Sequence, residues 1–148
     1  MTAKDRKLLN LIQREFPVVA RPYLALGKKL KMREEEVIKR LAYLKAKKII
    51  RHFGPSFDSR KLKYTSTLVA AKVPLKKLKS AVKMINAYPE ITHNYLREGE
   101  YNIWFAIVAK NKTRLDLILK ELRNKTGIAE IFSLPSVRLF KIVAVFQI

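Results

Sequence analysis

Titratable and aromatic side chains are concentrated between residues 93 and 105. This segment reads HNYLREGEYNIWF and holds the only tryptophan and one of the two histidines. Strand alternation would put His93, Tyr95 and Arg97 on one face, together with Ile91. An imidazole, a phenol and a guanidinium on one sheet face can form the floor of a ligand site. The same alternation is also typical of a solvent-facing strand with amphipathic residues, and that alternative stays open.

Two apolar-alternating runs flank a Glu-Gly-Glu sequence at 98–100, which predicts a β-hairpin with its turn at this point. On the returning strand, Tyr101 and Phe105 take one face, and Asn102 and Trp104 take the other. A tryptophan on a strand is more often part of a core than of a ligand wall. The hairpin is therefore the candidate site, and the rest of the chain must position it.

Composition narrows the classes of chemistry. The 148 residues are 49% hydrophobic and include no cysteine, so a core can form, whereas disulfides, thiolate metal sites and a cysteine nucleophile are excluded. Two histidines do not suffice for a conventional zinc site unless carboxylates or a second chain complete it. The sequence beginning MTAKDR lacks the apolar region of a signal peptide, and no apolar run reaches membrane-spanning length. We expect a cytoplasmic protein without membrane contact.

A net charge of +20 is the strongest compositional feature. Such a field attracts nucleic acid, an acidic partner protein, or a small ligand rich in carboxylates or phosphates. Lysine-rich surfaces also accompany thermophily, which requires no partner. Charge alone does not choose among these.

Residues 1–55 are predicted to form a winged helix-turn-helix domain. Apolar periodicity predicts helices over about 4–15, 22–31 and 34–47, followed by a strand over Ile49–Phe53. The third helix would begin with three glutamates at 34–36, where a recognition helix faces phosphates and bases. Because glutamates repel phosphate, the pattern argues against sequence-specific DNA binding and favours a helical module retained for assembly. Basic residues further along this helix could still touch a DNA backbone.

Residues 56–148 are predicted to form a ferredoxin-like domain. The predicted elements follow the order βαββαβ. Strand patterns occur at 64–73, 91–97, 101–105, 131–134 and 137–146, and helical patterns occur at 75–85 and 115–126. The fold class is thus α+β. An antiparallel sheet covered by helices on one face leaves the other exposed, and the runs at 68–70 and 142–146 are too apolar for a bare surface. We expect sheet-to-sheet dimerisation that places the site at a subunit interface.

A winged helix-turn-helix followed by βαββαβ resembles the leucine-responsive regulators (Lrp/AsnC, with their RAM-type domain) across essentially the whole chain. In those proteins the hairpin carries Gly-x-x-Asp, which helps to hold an amino-acid effector. This chain has Gly99 and Asn102 at those places. A neutral amide binds an α-ammonium less strongly than a carboxylate does, which argues against amino-acid sensing.

Other segments resemble the siroheme decarboxylases (the AhbA/AhbB and NirD/L/G/H proteins), and most closely the AhbA-like subunit. The segments that carry this resemblance are 49–58, 62–70, 93–105 and the pattern Leu134-Pro135-x-x-Arg138-x-Phe140-Lys141. The resemblance implies removal of two acetate carboxyl groups of siroheme, giving 12,18-didecarboxysiroheme for alternative haem or d-type haem biosynthesis. It implies no cofactor, since the macrocycle delocalises the developing carbanion and the iron belongs to the substrate.

The resemblance also implies roles for individual residues. Arg51 and Arg97 would clamp carboxylates through charge-assisted bidentate bonds. His93 would donate the proton to the new methylene carbon, so that His93 and Arg97 form the catalytic pair. His52 is the alternative donor, and either histidine could ligate the substrate iron. Further substrate contacts would come from Tyr95, Tyr101 and Asn102, which could orient carboxylates, and from Trp104, which could stack on the macrocycle.

The expected partners are siroheme and either a second copy or a paralogous AhbB-like subunit. Two other functions remain open. One is an Lrp/AsnC-type DNA-binding transcriptional regulator, and the other is a regulatory haem-binding subunit without its own turnover.

Overall fold

The computed structural model describes residues 1–55, 57–142 and 145–148. The chain divides into two compact units, one comprising Met1–Pro55 with Lys141–Ile148 and the other Ser56–Phe140. The prediction placed residues 141–148 in the second domain, whereas Lys141–Ile148 group with Met1–Pro55. Each unit has its own buried apolar cluster.

Three helices form the first unit: α1 (Ala3–Ile12), α2 (Pro22–Leu30) and α3 (Glu34–Ala46). A capping box begins α1, in which Thr2 and Asp5 satisfy each other's backbone N–H groups. Pro22 occupies the first turn of α2, where its missing N–H costs nothing. The helix-turn-helix prediction is confirmed. Its core cluster includes the buried side chains of Leu8, Leu26, Met32, Val37 and Leu41.

The predicted strand over Ile49–Phe53 does not form. The backbone N–H groups of Ile49 and Ile50 both donate to the carbonyl of Leu44, at 3.0 and 3.3 Å, and therefore terminate α3. Lys48 adopts a left-handed conformation (φ 56°) that turns the chain back for these bonds. With those donors used locally, the part of the first unit that the structure describes contains no strand, and hence no strand-built wing.

The second unit has the predicted βαββαβ order and confirms the ferredoxin-like α+β class. Its elements are β1 (Thr65–Ala71), a short 3-10 helix (Leu75–Lys77), α4 (Leu78–Ile85), β2 (Ile91–Leu96), β3 (Ile103–Ala109), α5 (Lys112–Thr126) and β4 (Ile131–Leu134). The sheet is antiparallel with the strand order β2-β3-β1-β4. Alternate strand residues such as Val69, Phe105 and Ile107 are buried with apolar residues of α4 and α5. Both helices thus lie on one face of the sheet.

The predicted strand over Val137–Phe146 is also wrong among the described residues, and its positions 143 and 144 lie outside them. β4 ends at Leu134, immediately before Pro135, which has no N–H for a ladder bond. Near the C-terminus, the backbone N–H groups of Phe146 and Ile148 donate to the side-chain oxygens of Gln13 and Asn10, at 2.8 and 3.2 Å. These amides are therefore bonded to side chains of the last turn of α1 and of the residue that follows it, rather than to a strand.

Candidate functional site

The candidate site lies on the sheet face opposite the helices, within the second unit. Tyr95 pairs with Trp104 across β2 and β3, and Asn94 pairs with Phe105. Because Phe105 is buried among the helices, alternation places Tyr95 and Trp104 on the open face. His93 pairs with Ala106 and shares this face.

A β-bulge in β2 makes the face of Ile91 differ from the predicted alternation. The register shifts between Ile91 and His93, which leaves Thr92 as the extra residue. Ile91 consequently pairs with Ile107 and packs against the core. It does not share a face with His93 and Tyr95, contrary to the sequence expectation.

His93 is exposed and has two defined contacts. Its Nδ1 lies 3.0 Å from the hydroxyl oxygen of Thr92, and its ring stacks on that of Tyr95, with centroids 6.3 Å apart and an interplanar angle of 19°. Both contacts limit rotation of the imidazole. With Nδ1 engaged, Nε2 is the ring nitrogen directed to a ligand or a proton acceptor.

The guanidinium of Arg97 packs over the indole ring of Trp104. Its guanidinium carbon lies 5.6 Å from the centre of the indole ring, within the range of a cation–π contact. Trp104 is itself fixed, because its Nε1–H donates to the carbonyl oxygen of Tyr101 at 2.7 Å. The half-buried indole therefore supports an exposed guanidinium, an arrangement suited to binding an anion.

Gly99 makes the hairpin turn possible. It has φ of +118°, a conformation that residues with a Cβ rarely adopt. The turn is closed by a bond from the backbone N–H of Arg97 to the carbonyl oxygen of Asn102, at 2.8 Å. The predicted Glu-Gly-Glu turn thus places Arg97 at the end of β2, beside Trp104.

Tyr101 lies at the edge of this face in an acidic environment. Its hydroxyl is 3.4 Å from a carboxylate oxygen of Glu130, and its ring packs edge-on against Phe132 at 5.4 Å between centroids. Burial, followed by the negative charges of Glu130 and Glu100, raises the pKa of Tyr101. Tyr101 therefore stays a neutral hydrogen-bond donor at neutral pH. Lys72 bridges the two glutamates, at 2.7 Å from Glu100 and 3.5 Å from Glu130.

Asn102 was predicted to orient a substrate carboxylate, but its side-chain amide is bonded within the protein. Its Oδ1 accepts from the N–H of Val73 and its Nδ2 donates to the carbonyl oxygen of Val73, both at 2.9 Å. Both ends of the amide are thus used by one backbone residue.

Three large apolar side chains extend the open face beyond the hairpin. Leu68 and Leu134 pair across β1 and β4, and Phe132 pairs with Ala70 in the same ladder. Ala70 is in turn opposite Trp104 on β3, so all of them share its face. Leu68, Phe132 and Leu134 are 44%, 49% and 47% exposed. Together with Tyr95 and Trp104, they form an apolar floor next to Arg97.

Arg51 and His52 belong to the first unit, whereas the contacts described above are all within the second. Both follow α3 in an irregular segment, and both side chains are exposed. Lys72, Glu130 and Phe132 were not predicted as site residues. Their proximity to the hairpin follows from the register of β1 with β3 and β4, which no local sequence pattern specifies.

No group of three or more His, Cys, Asp or Glu side chains in the described ranges could hold a metal ion. None of the helices described is long and apolar enough to cross a membrane.

Family models match both halves of the chain. Residues 61–141 match the AsnC-like ligand binding domain, and residues 5–51 match the siroheme decarboxylase NirDL-like HTH domain. Escherichia coli AsnC shares the fold with a TM-score of 0.81, but at 17% identity this likeness concerns the fold alone; the alignment covers 98% of this chain and 97% of AsnC.

The chain is more similar in sequence to siroheme decarboxylase subunits than to AsnC. The siroheme decarboxylase alpha subunit of Desulfovibrio desulfuricans is 46% identical over 99% of this chain and 84% of its own length. A crystal structure of the siroheme decarboxylase NirDL in co-complex with an iron-uroporphyrin III analogue is 29% identical, with a TM-score of 0.73; the alignment covers 97% of this chain and 47% of NirDL. This chain thus spans about half of that one. The match of both halves, together with a 46% identical relative along nearly the whole chain, makes this protein a member of the siroheme decarboxylase family.

Proposed function

We propose that this protein is a subunit of a siroheme decarboxylase, a carboxy-lyase that converts siroheme into 12,18-didecarboxysiroheme. Family membership supports the reaction, and the iron-uroporphyrin analogue bound by NirDL is a tetrapyrrole of related chemistry. The observation that carries the proposal is the Arg97 guanidinium seated on Trp104, beside an apolar floor and an exposed imidazole. A macrocycle with eight carboxylates requires both a flat apolar contact and cations at its rim.

Each decarboxylation breaks the bond between the acetate methylene carbon and its carboxylate. Carbon dioxide leaves, and the electron pair stays on the methylene carbon, where the electron-poor macrocycle delocalises it. One proton then converts the methylene group into a methyl group. The protein must bind the retained carboxylates, surround the departing one with apolar groups, and supply that proton.

The residues are assigned to these tasks as follows. Arg97 binds a retained carboxylate with two parallel N–H···O bonds, and the indole of Trp104 holds its guanidinium plane. His93 donates the proton from Nε2, while Thr92 and Tyr95 fix its ring. Tyr95 donates a hydrogen bond to a further carboxylate. Tyr101 donates to another only when its single O–H leaves Glu130. For Arg51 the role of a second clamp, and for His52 the role of an alternative donor or iron ligand, stay predictions from the resemblance.

An assembly of two subunits completes the proposal. Either a second copy or a paralogous AhbB-like subunit would cover the apolar floor. The AsnC-type regulator has less support, because the first turn of α3 carries three acids. Of these, Glu34 forms an ion pair with Arg21, and Glu36 with Lys4 and Arg40. A flat mobility-shift titration with duplex DNA at low salt would exclude that function.

Replacing Arg97 tests the proposal at the residue on which it rests. We expect Arg97→Ala to weaken siroheme binding roughly 10- to 100-fold, since a charge-assisted pair contributes about 1.5–3 kcal/mol. Arg97→Lys should fall between this variant and the unmodified protein, because lysine keeps the charge but not the planar fork. The measurement is an anaerobic titration followed by the Soret band of siroheme.

Arg60→Ala is the matched control, since it removes one exposed arginine from the same unit. It should leave siroheme affinity within about twofold, because long-range charge effects are screened. Equal affinities of Arg97→Ala and the unmodified protein would remove the carboxylate clamp from the proposal.

A further inference from the structure

Val73 needs a hydrogen-bond partner that the sheet does not provide. β1 ends at Ala71, and Val73 is only 2% exposed, so its backbone N–H and carbonyl are buried beyond the ladder. An unpaired buried backbone group costs about 1–3 kcal/mol. The side-chain amide of Asn102 satisfies both groups at 2.9 Å and so takes the place of a neighbouring strand.

The backbone of Asn102 also closes the hairpin turn. Its carbonyl accepts the N–H of Arg97 at 2.8 Å. One residue therefore joins the end of β1, through its side chain, to the end of β2, through its main chain. This places the backbone of Arg97 relative to the centre of the sheet.

The side chain of Arg97 is held from the same segment. Its guanidinium lies over Trp104, and the indole N–H of Trp104 is bonded to the carbonyl of Tyr101, the neighbour of Asn102. Residues 101–104 thus contact Arg97 at both its backbone and its guanidinium. Ile103 and Trp104 are also held by the ladder with Ala71 and Ala70. Residues 101 and 102 precede β3, and the two bonds from Asn102 attach them to Val73.

We propose that Asn102 is a positioning residue, which fixes residues 101 and 102 against Val73 and thereby sets the place of the Arg97 guanidinium. This proposal rests on the proposed function for the role of Arg97. It replaces the expectation that the Asn102 amide itself binds a substrate carboxylate. Asn102 acts on the substrate through Arg97 alone.

The chemistry of the amide makes the proposal specific. Binding both the N–H and the carbonyl of one residue requires an acceptor and a donor in one planar group. An aspartate at this position has the same shape but no donor, and it places a carboxylate oxygen against the carbonyl of Val73. Protonation of that aspartate restores the donor.

Hydrogen exchange of single amides tests the anchoring directly. In Asn102→Ala we expect the amides of Val73 and Arg97 to exchange at least about tenfold faster than in the unmodified full chain. Asn94→Ala is the matched control, because Asn94 lies in the same hairpin but bonds the side chain of Asn86 at 2.9 Å. It should leave the Val73 and Arg97 amides protected.

A double-mutant cycle tests whether Asn102 acts through Arg97. Asn102→Ala should weaken siroheme binding about tenfold in the unmodified chain, and should have almost no effect when Arg97 is already alanine. A residue that touched the substrate itself would weaken binding in both backgrounds.

Asn102→Asp adds a pH-dependent measurement. Loss of a structural contact alone would not make the result depend on pH in this way. The emission of Trp104, the only tryptophan, should differ from that of the unmodified protein at neutral pH and return towards it as the pH falls to about 4. The direction follows because only the protonated carboxyl can bond both groups of Val73, whereas the ionised form still accepts from the N–H but opposes the carbonyl oxygen.

Two results would overturn the positioning role. One is a Val73 or Arg97 amide that stays fully protected in Asn102→Ala, and the other is an equal loss of siroheme affinity with and without Arg97. If the unmodified protein does not bind siroheme at all, the proposed function fails. The exchange rate of Arg97 then still decides whether Asn102 sets its position.

Discussion

At the scale of residues, the site combines a fixed cation with a fixed imidazole. Arg97 gains its orientation from Trp104, and His93 gains its orientation from Thr92 and Tyr95. Both side chains nevertheless remain exposed on the open face. Fixed but accessible groups lose little conformational entropy when they bind a ligand.

The two histidines offer a matched pair for assigning the proton donor. We expect His93→Ala to lower the rate of siroheme decarboxylation about 10²- to 10⁴-fold, the usual contribution of a positioned general acid. His52→Ala should lower it less than about tenfold. Single-turnover product formation, at siroheme concentrations that saturate each variant, measures the chemical step.

The soundness of each variant is checked by its helical circular dichroism and by its siroheme affinity. A larger loss of rate in His52→Ala than in His93→Ala would assign proton donation to His52. Unchanged turnover in His93→Ala would remove His93 from the chemistry.

Asn102 illustrates what residue-level reasoning from sequence misses. Its residue type and its place three positions after Gly99 can be read from the sequence, and both suggested a ligand contact. Its actual partner, Val73, lies 29 positions earlier and becomes adjacent only when β1 pairs with β3. Sequence periodicity assigns faces but not the register between strands.

At the scale of elements, helices were predicted better than strands. The bounds of α2 and α3 follow from Pro22, from the acidic first turn of α3 and from apolar periodicity, all of which are local. The strands at 49–53 and 137–146 were wrong for the described residues. Both segments are rich in β-branched and aromatic residues. The amides of Ile49 and Ile50 nevertheless bind the end of α3, and the amide of Phe146 binds the side chain of Gln13. Strand formation depends on an available partner, which composition does not reveal.

The contact of α1 with α3 includes a buried ion pair that predicts a pH-dependent stability. Asp5, 2% exposed, lies 2.7 Å from the guanidinium of Arg40. The backbone N–H of Thr2 and, after it, Arg40 lower the pKa of Asp5 from 3.8 to about 2. Because the folded-state pKa is depressed, the stabilisation is complete above about pH 4 and is lost as the pH falls towards 2.

Asp5→Asn should therefore reduce the free energy of unfolding by about 1–2 kcal/mol at pH 6, and the difference should vanish near pH 2. Urea denaturation of both proteins across this range measures the effect. Asp58→Asn is the control, since Asp58 pairs with Arg60 at the exposed surface. A constant difference between Asp5→Asn and the unmodified protein at all pH values would contradict the assignment.

At the scale of the whole molecule, the sequence predicted the architecture more completely than the site. The βαββαβ order, the helices on one face and the exposed apolar face opposite were all expected, because each follows from local periodicity and chain order. A net charge of +20 favours an anionic substrate but does not locate it. In the proposal the substrate is located on the open face, because that face combines an apolar floor with Arg97.

The central claim is that siroheme is decarboxylated with the participation of this chain. The most direct measurement is the carbon dioxide released per siroheme under anaerobic conditions, by the chain alone and by the chain mixed with a paralogous AhbB-like subunit. We predict two equivalents from the active assembly, with product mass lowered accordingly. A Soret band that confirms binding, without carbon dioxide from either preparation, would contradict the claim and leave a haem-binding subunit without turnover.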